Sequence, residues 1–365
     1  MRFLLILVVL GIIAAGVVEW AWQAWDAPGP ASPSGKETVI LVPAHSRTHD
    51  IARMLEQKGL VKYGFLFEAD AHLKGVASRL KAGEYAIPSA ASMATIAGLL
   101  VEGKSIQHKF TAAEGLTSEM IWKLVKADPV LVGDAGPMPP EGSLLPETYL
   151  FTRGETRVHL LAEMAKAQQK FVAEQWGRRA QGLPFTAPRQ AIILASIVEK
   201  ETRLPEERRH IASVFINRLR NGMKLQTDPT IIYDLTRGYP LGRGIRQSEI
   251  EAPTPHNTYV ITGLPPGPIC NPGKDSISAV LNPEQTSDLY FVATGQGGHV
   301  FAATNEEQAK NVAAYRAFQR SYQSPQSRTV EDNGRVQNMA LPPAEAPLPK
   351  LNTAKSKPGG HRRRG

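Results

Sequence analysis

The chain has 365 residues, 42% of them hydrophobic and 21% charged, a globular composition that excludes a largely disordered or fibrous protein. Its net charge of +8 is not a nucleic-acid footprint, because six basic residues and no acid lie within residues 350–365, leaving about +2 on the rest. The single cysteine, Cys270, excludes an internal disulfide, and the nine histidines show no metal-ligand spacing, so neither a metal nor another cofactor is expected.

From the N-terminus, Phe3 to Val18 is an unbroken apolar run of sixteen residues, interrupted by Glu19 and continued by Trp20 to Trp22. A membrane-spanning helix needs roughly 17–25 residues, so residues 1–25 are expected to form a transmembrane anchor. Trp20, Trp22 and Trp25 would lie in the headgroup belt, where an amphipathic indole is favoured. The only early positive groups are the amino terminus and Arg2, whereas Glu19 and Asp26 follow the run. That bias leaves the N-terminus in the cytoplasm and sends the body outside, as expected of a single-pass protein of a bacterial inner membrane. Ala14-Ala15-Gly16 would suit signal-peptide cleavage, but the apolar run continues past it. Either way the body is extracytoplasmic.

Residues 26–37 are rich in Pro, Gly and Ser and read as a linker. A weak repeat follows. Val42-Pro43 precedes Ile51, Ala52, Met54 and Leu55, closed by Gly59; 45 residues on, Ile87-Pro88 precedes Ile96, Ala97, Leu99 and Leu100, closed by Gly103. Each copy predicts a short strand, a turn and an amphipathic helix with a glycine stop. A looser third copy runs from Phe110 through Ile121 and Leu124. Residues 38–108 are therefore either ordinary strand–turn–helix units or a small glycan-binding module of the LysM-like βααβ type.

Residues 109–320 predict a larger mixed α+β domain. Helices are expected over 157–175, 190–202 and 206–219, and a hairpin over 289–302 with its turn at Gly295 to Gly298. Residues 321–365 have no apolar periodicity and read as a basic, disordered tail.

Ala191 to Val198 is apolar on every side of a helical wheel, which predicts a buried helix. Glu199, Lys200 and Glu201 close it. Glu199 shares a face with Ile192, Ala195 and Ser196. There a carboxyl group has its ionised form destabilised, and the small residues would leave room for a substrate. Glu201 points about 200° away at 3.6 residues per turn and suits an ion pair with Lys200, Arg203, Arg208 or Arg209. The competing reading makes Glu199 itself a salt-bridged helix end. Gln226, Asp228, Asn257 and Tyr259 lie in polar turns whose amides, acid and ring suit a carbohydrate. Asn257 and Tyr259 could equally be polar groups satisfied in the core.

Five segments occur in the order and spelling of one family: SIVEKET (196–202), VFINRL (214–219), LQTDPT (225–230), NTY (257–259) and TGLPPG (262–267). With GSLLPETY (142–149) upstream and GHVF (298–301) downstream, the chain resembles the YceG-like family of endolytic murein transglycosylases. Leu144 stands where the family commonly has an aromatic residue. The resemblance implies a lyase that cuts the β-1,4 bond between N-acetylmuramic acid and N-acetylglucosamine, leaving a 1,6-anhydro end. It also places the catalytic acid/base on Glu199. Gln226, Asp228, Asn257 and Tyr259 are the tentative sugar contacts read from their own chemistry, and Asp228, followed by Pro229, also suits fixing its turn. Partners implied are glycan strands, the membrane and the peptidoglycan synthases, with no nucleic acid. A non-catalytic glycan-binding protein and a muramidase using Glu199 with Asp228 are the alternatives.

Overall fold

The computed structural model describes residues 22–322 together with Ile12, Gly16, Glu19 and Trp20. Most of the N-terminal apolar run and the basic tail beyond residue 322 lie outside the described residues. Among the described residues, no helix is long and apolar enough to cross a membrane. The fold is mixed α+β, in two compact units that divide between residues 170 and 171.

In the first unit, β1 (Thr38–Val42) pairs antiparallel with β2 (Gly83–Ile87), with Thr38 opposite Ile87. α1 (Thr48–Gln57) and α2 (Gly64–Leu73) lie between them in the chain, so the order is βααβ. β1 alternates, with Ile40 and Val42 buried and Val39 and Leu41 exposed on the opposite face. α1 buries Ile51, Ala52 and Leu55. α3 (Met93–Glu102) starts where the Ser92 hydroxyl accepts the Thr95 N–H at 3.1 Å, buries Ile96, Ala97 and Leu100, and stops at left-handed Gly103. The 45-residue repeat is therefore β1–α1 and β2–α3, and its two strands pair with each other. The third copy is β3 (His108–Thr111) and α4 (Ser118–Ala127). β3 pairs with β4 (Thr148–Phe151), and α5 (Arg157–Gly177) follows. Leu144, fully buried, packs in this second core with Phe110, Ile121 and Leu160.

The 26–37 segment is not a free linker. Trp25 is only 6% exposed and stacks on Phe67 of α2 at 5.9 Å. The Gly29 N–H donates to Ala90 O (3.2 Å) and the Ser32 N–H to Ser89 Oγ (2.9 Å). The approach at Gly29 is close enough that a Cβ there would sit 2.3 Å from Ala91 O. Prolines and glycines here let the chain lie flat on the β2–α3 turn rather than swing away from it.

The second unit is built on α6 (Pro188–Glu201). Around it run α7 (Arg208–Arg220), α8 (Asp228–Thr236), the short α9 (Gln247–Ile250) and α10 (Lys274–Leu281). The hairpin β5 (Tyr290–Ala293) and β6 (His299–Ala302) and the long α11 (Asn305–Tyr322) complete it. Ala191 and all six residues from Ile193 to Val198 are buried, as an all-round apolar helix requires. Ile211, Ala212 and Phe215 of α7 and Ile277, Val280 and Leu281 of α10 pack against them. The 225–230 stretch, read from sequence as a turn, is half helix. Asp228-Pro229-Thr230 is the first turn of α8, where a proline's missing N–H costs no hydrogen bond.

Trp25→Ala should remove this packing and destabilise the first unit by about 3 kcal/mol. Amide hydrogen exchange in α1 and α2 should rise accordingly; unchanged protection would mean that the segment before β1 is not part of the core.

Candidate active site

The two glutamates that close α6 meet opposite surroundings. Small Ser196 and Ala195 do leave room on the Glu199 face, but backbone fills it. The 263–273 loop lies there, with the Ile269 N–H donating to Ser196 Oγ (3.0 Å) and Cys270 Sγ 3.3 Å from Ser196 O. The Gly273 N–H donates to Glu199 Oε2 at 2.9 Å, and Arg208 Nη2 lies 3.5 Å from Oε1. The Glu199 side chain is 6% exposed. Room for a substrate on this face, expected from the sequence, is therefore taken by the protein itself. Arg208, expected as a partner of Glu201, instead bridges Glu199 and Asp275 (3.3 Å).

Glu201, the last residue of α6, turns toward the polar loops. It accepts a short hydrogen bond from the Thr227 hydroxyl. Burial pushes its carboxyl up to about 7, against the Thr227 hydrogen bond; the Asp228 charge adds to the rise, and His299 and Arg218 oppose it. The ion pair expected for Glu201 is replaced by this enclosed hydroxyl contact.

Four further groups complete the setting. Tyr259 Oη donates to Asp228 Oδ1 at 2.6 Å, and burial together with Asp228 pushes the Tyr259 phenol well above its usual range. Arg218 is buried on α7 and donates to Leu289 O (2.6 Å) and Leu225 O (2.7 Å). His299, opening β6, donates its backbone N–H to Glu207 and sets its Nδ1 2.7 Å from the same carboxylate. Glu207 also accepts the Thr202 hydroxyl (3.2 Å); although burial works to raise it, His299 and Thr202 hold it low. Gly298 permits this approach, since a Cβ there would lie 2.7 Å from Glu207 Oε1.

Of the residues singled out from sequence, Asp228 and Tyr259 come together beside Glu201. Gln226 is exposed, in a left-handed conformation (φ 50°), with its N–H donating to Thr258 O. Asn257 is not presented to a ligand. It is fully buried, and its amide donates to the carbonyls of Ile250 (2.9 Å) and Ala252 (2.7 Å) while its oxygen accepts the Tyr259 N–H. It shapes the loop that carries Tyr259. The sequence reading gave Glu201 only an ion-pair role and did not single out Thr227, Arg218 or His299, although all four lie in the motif segments; the structure sets Thr227 in contact with Glu201, with Arg218 and His299 near enough to act on its charge. Among the described residues, no group of three His, Cys, Asp or Glu side chains is placed to hold a metal ion.

Comparison with known proteins covers the whole of this site. A sequence model of the YceG-like family matches residues 40–314. The endolytic murein transglycosylase of Bacillus subtilis (strain 168) is 30% identical, over 78% of this chain and 87% of that protein. The protein of the same name from Streptococcus pneumoniae serotype 2 is 28% identical over 85% of this chain; the alignment spans 64% of that longer relative. A crystal structure of a yceG-like protein from Listeria monocytogenes is 30% identical, covering 75% of this chain and 98% of that one, with a TM-score of 0.47.

A carboxyl raised to about 7 is fully tolerated below the unfolded value, where it is protonated in both states, and costs stability as pH rises through 7. Glu201→Gln should therefore be no more stable than the parent at pH 4 but more stable at pH 8, by up to about 3 kcal/mol. Denaturant melts at the two pH values measure this. Asn257→Ala should destabilise the second unit by about 2 kcal/mol while leaving KM unchanged at a temperature where the variant is folded. A raised KM alone would return Asn257 to the list of sugar contacts.

Proposed function

The chain belongs to the YceG-like family, and we propose that it is an endolytic transglycosylase that cuts peptidoglycan glycan strands. The observation that carries this reading is the Glu201 carboxyl: enclosed, held by a hydroxyl, and poised near neutral pH. A carboxyl raised by burial toward neutral pH is suited both to give a proton and to take one back, which a combined general acid and base requires.

The bond proposed is the β-1,4 link from N-acetylmuramic acid to N-acetylglucosamine. Glu201 gives its proton to the leaving glycosidic oxygen. The C6 hydroxyl of the muramic residue then bonds to C1, and its proton passes to the Glu201 carboxylate. One strand leaves with a free 4-hydroxyl, the other with a 1,6-anhydro end, and the enzyme recovers its starting proton. The nucleophile belongs to the same sugar, so its high effective molarity replaces a second carboxylate. In this reading Tyr259 and Gln226 orient the sugar, and Arg218 and His299 act against the Asp228 charge on Glu201. Glu199, the residue favoured by sequence, is given a positioning role through Gly273 and Arg208.

A hydrolytic, muramidase reading has one observation in its favour: the Asp228 charge acts on Glu201, and paired carboxylates serve glycoside hydrolysis. Its Asp228 would activate water and yield ordinary reducing ends.

We further propose that residues 3–22 anchor the chain in the inner membrane with its body extracytoplasmic, near the synthases from which strands emerge. The βααβ order of residues 38–87 supports a LysM-like, glycan-holding role for the first unit.

The test is a digest of purified sacculi analysed by mass spectrometry. Anhydro ends are expected from the parent, and Glu201→Gln should lower their yield by roughly 10²–10⁴-fold. Glu199→Gln should keep measurable activity. Full activity in Glu201→Gln with none in Glu199→Gln would move the acid/base back to Glu199, and reducing ends from the parent would establish the hydrolase.

A further inference from the structure

α2 is apolar on two faces. Phe67 and Ala71 point into the core. On the outer side Phe65 is 64% exposed and Leu73 76% exposed, with exposed Ala69 between them and His72 as the one basic side chain of that face. The helix's two acids are turned away, Glu68 toward His49 of α1 (2.9 Å) and Asp70 into the interior. A solvated helix face of this kind would ordinarily be polar.

The apolar patch extends beyond α2 at both ends. At its start, the Tyr63 and Phe65 rings lie 5.8 Å apart. Tyr63 also lines a cavity of about 570 Å³ with Trp20, Leu60 and Leu66. At its finish, Lys74 Nζ sits 4.3 Å from the centre of the exposed Trp22 ring. Lys62 lies over Tyr63 at 5.3 Å. Aromatic rings paired with lysines are the composition favoured at a membrane–water boundary.

Chain geometry supplies the occupant. Trp25 is locked onto Phe67 of α2, and residues 22–26, Glu19 and Trp20 are helical. The apolar run ends at Val18, four residues before Trp22. Trp20, two residues beyond the end of the run, already lines a cavity with Leu60 and Leu66 of the first unit, so the run ends within about 7 Å of chain from that unit. If the run enters a bilayer, α2 is carried to the bilayer surface.

From this, and resting on the anchor proposed above, we infer that the outer face of α2 lies in the headgroup layer of an anionic bilayer. Phe65, Leu73 and Trp22 enter the interface, and Lys62 and Lys74 meet lipid phosphates. The first unit is then an interfacial module held flat on the membrane, not a head on a flexible stalk.

The experiment uses the full chain in nanodiscs of phosphatidylethanolamine and phosphatidylglycerol. An environment-sensitive fluorophore is placed, in a Cys270→Ser background, at Phe65→Cys, Leu73→Cys or Val39→Cys. All three positions are exposed, and Val39 lies on the sheet face directed away from the core that α2 covers. Brominated lipid should quench the labels at 65 and 73 several-fold more than the label at 39. Salt-resistant co-elution of protein with discs checks the anchor in the same sample. Co-elution with equal quenching at all three sites overturns the inference and leaves the anchor standing. Failure to co-elute sinks the anchor and the inference together. Labels at 65 and 73 that are shielded yet unquenched would mean a protein covers the face, and also overturn it.

Discussion

The second unit depends on burying α6 from every side. A helix with Ala191 and Ile193 to Val198 all removed from water cannot be covered by one neighbour. α7 and α10 take part of its surface, and the 263–273 loop closes the face where Ser196 is small enough to admit a backbone. Polar side chains reach solvent or polar surroundings only at its two ends, Arg189 and Gln190 at the first turn and the two glutamates with Lys200 at the last. Two carboxylates separated by a single lysine therefore divide: Glu199 faces the loop that covers the helix, and Glu201 faces the polar turns beyond it. The first is consumed by a backbone N–H and a guanidinium, which suits a structural anchor.

Around Glu201 charges of both signs act in opposite directions. Asp228 raises its carboxyl; His299 and Arg218 lower it. Each of these groups is itself committed elsewhere. Asp228 takes the Tyr259 proton donor, Glu207 holds His299, and Arg218 is spent on main-chain carbonyls. None is free to form a direct ion pair that would pull Glu201 back to an ordinary carboxylate, so desolvation decides the outcome. A single enclosed acid near neutral pH follows from that arrangement. It is the property a one-carboxyl transglycosylation needs, because the substrate's own hydroxyl replaces the second group.

The first unit solves a different problem. Each strand–turn–helix copy is too small to hide its own apolar face, and pairing β1 with β2 joins two copies around one core. Trp25 then fixes the N-terminal segment onto that core. The same packing that stabilises the unit removes the freedom of the segment before it, and so constrains where α2 can be relative to anything that holds the N-terminus.

Local elements and the neighbourhood of the site are legible in the amino-acid sequence alone. Apolar periodicity marked α1, α3, α5, α6 and α7, and glycine spacing marked the β5–β6 hairpin, because these signals depend only on residues within a few positions of one another. The ordered motifs marked the family and the segments that meet at the site. Tertiary structure decided the rest. A helical wheel gives the angle between Glu199 and Glu201 but not which side is covered, and the covering loop lies some seventy residues away. Composition made 26–37 look free, since proline and glycine report local conformation and not whether a distant turn accepts their hydrogen bonds. Asn257 stayed open between a sugar contact and a core amide for the same reason. An amide that binds hydroxyls and one that pins carbonyls are the same residue until the fold says which partners are within reach.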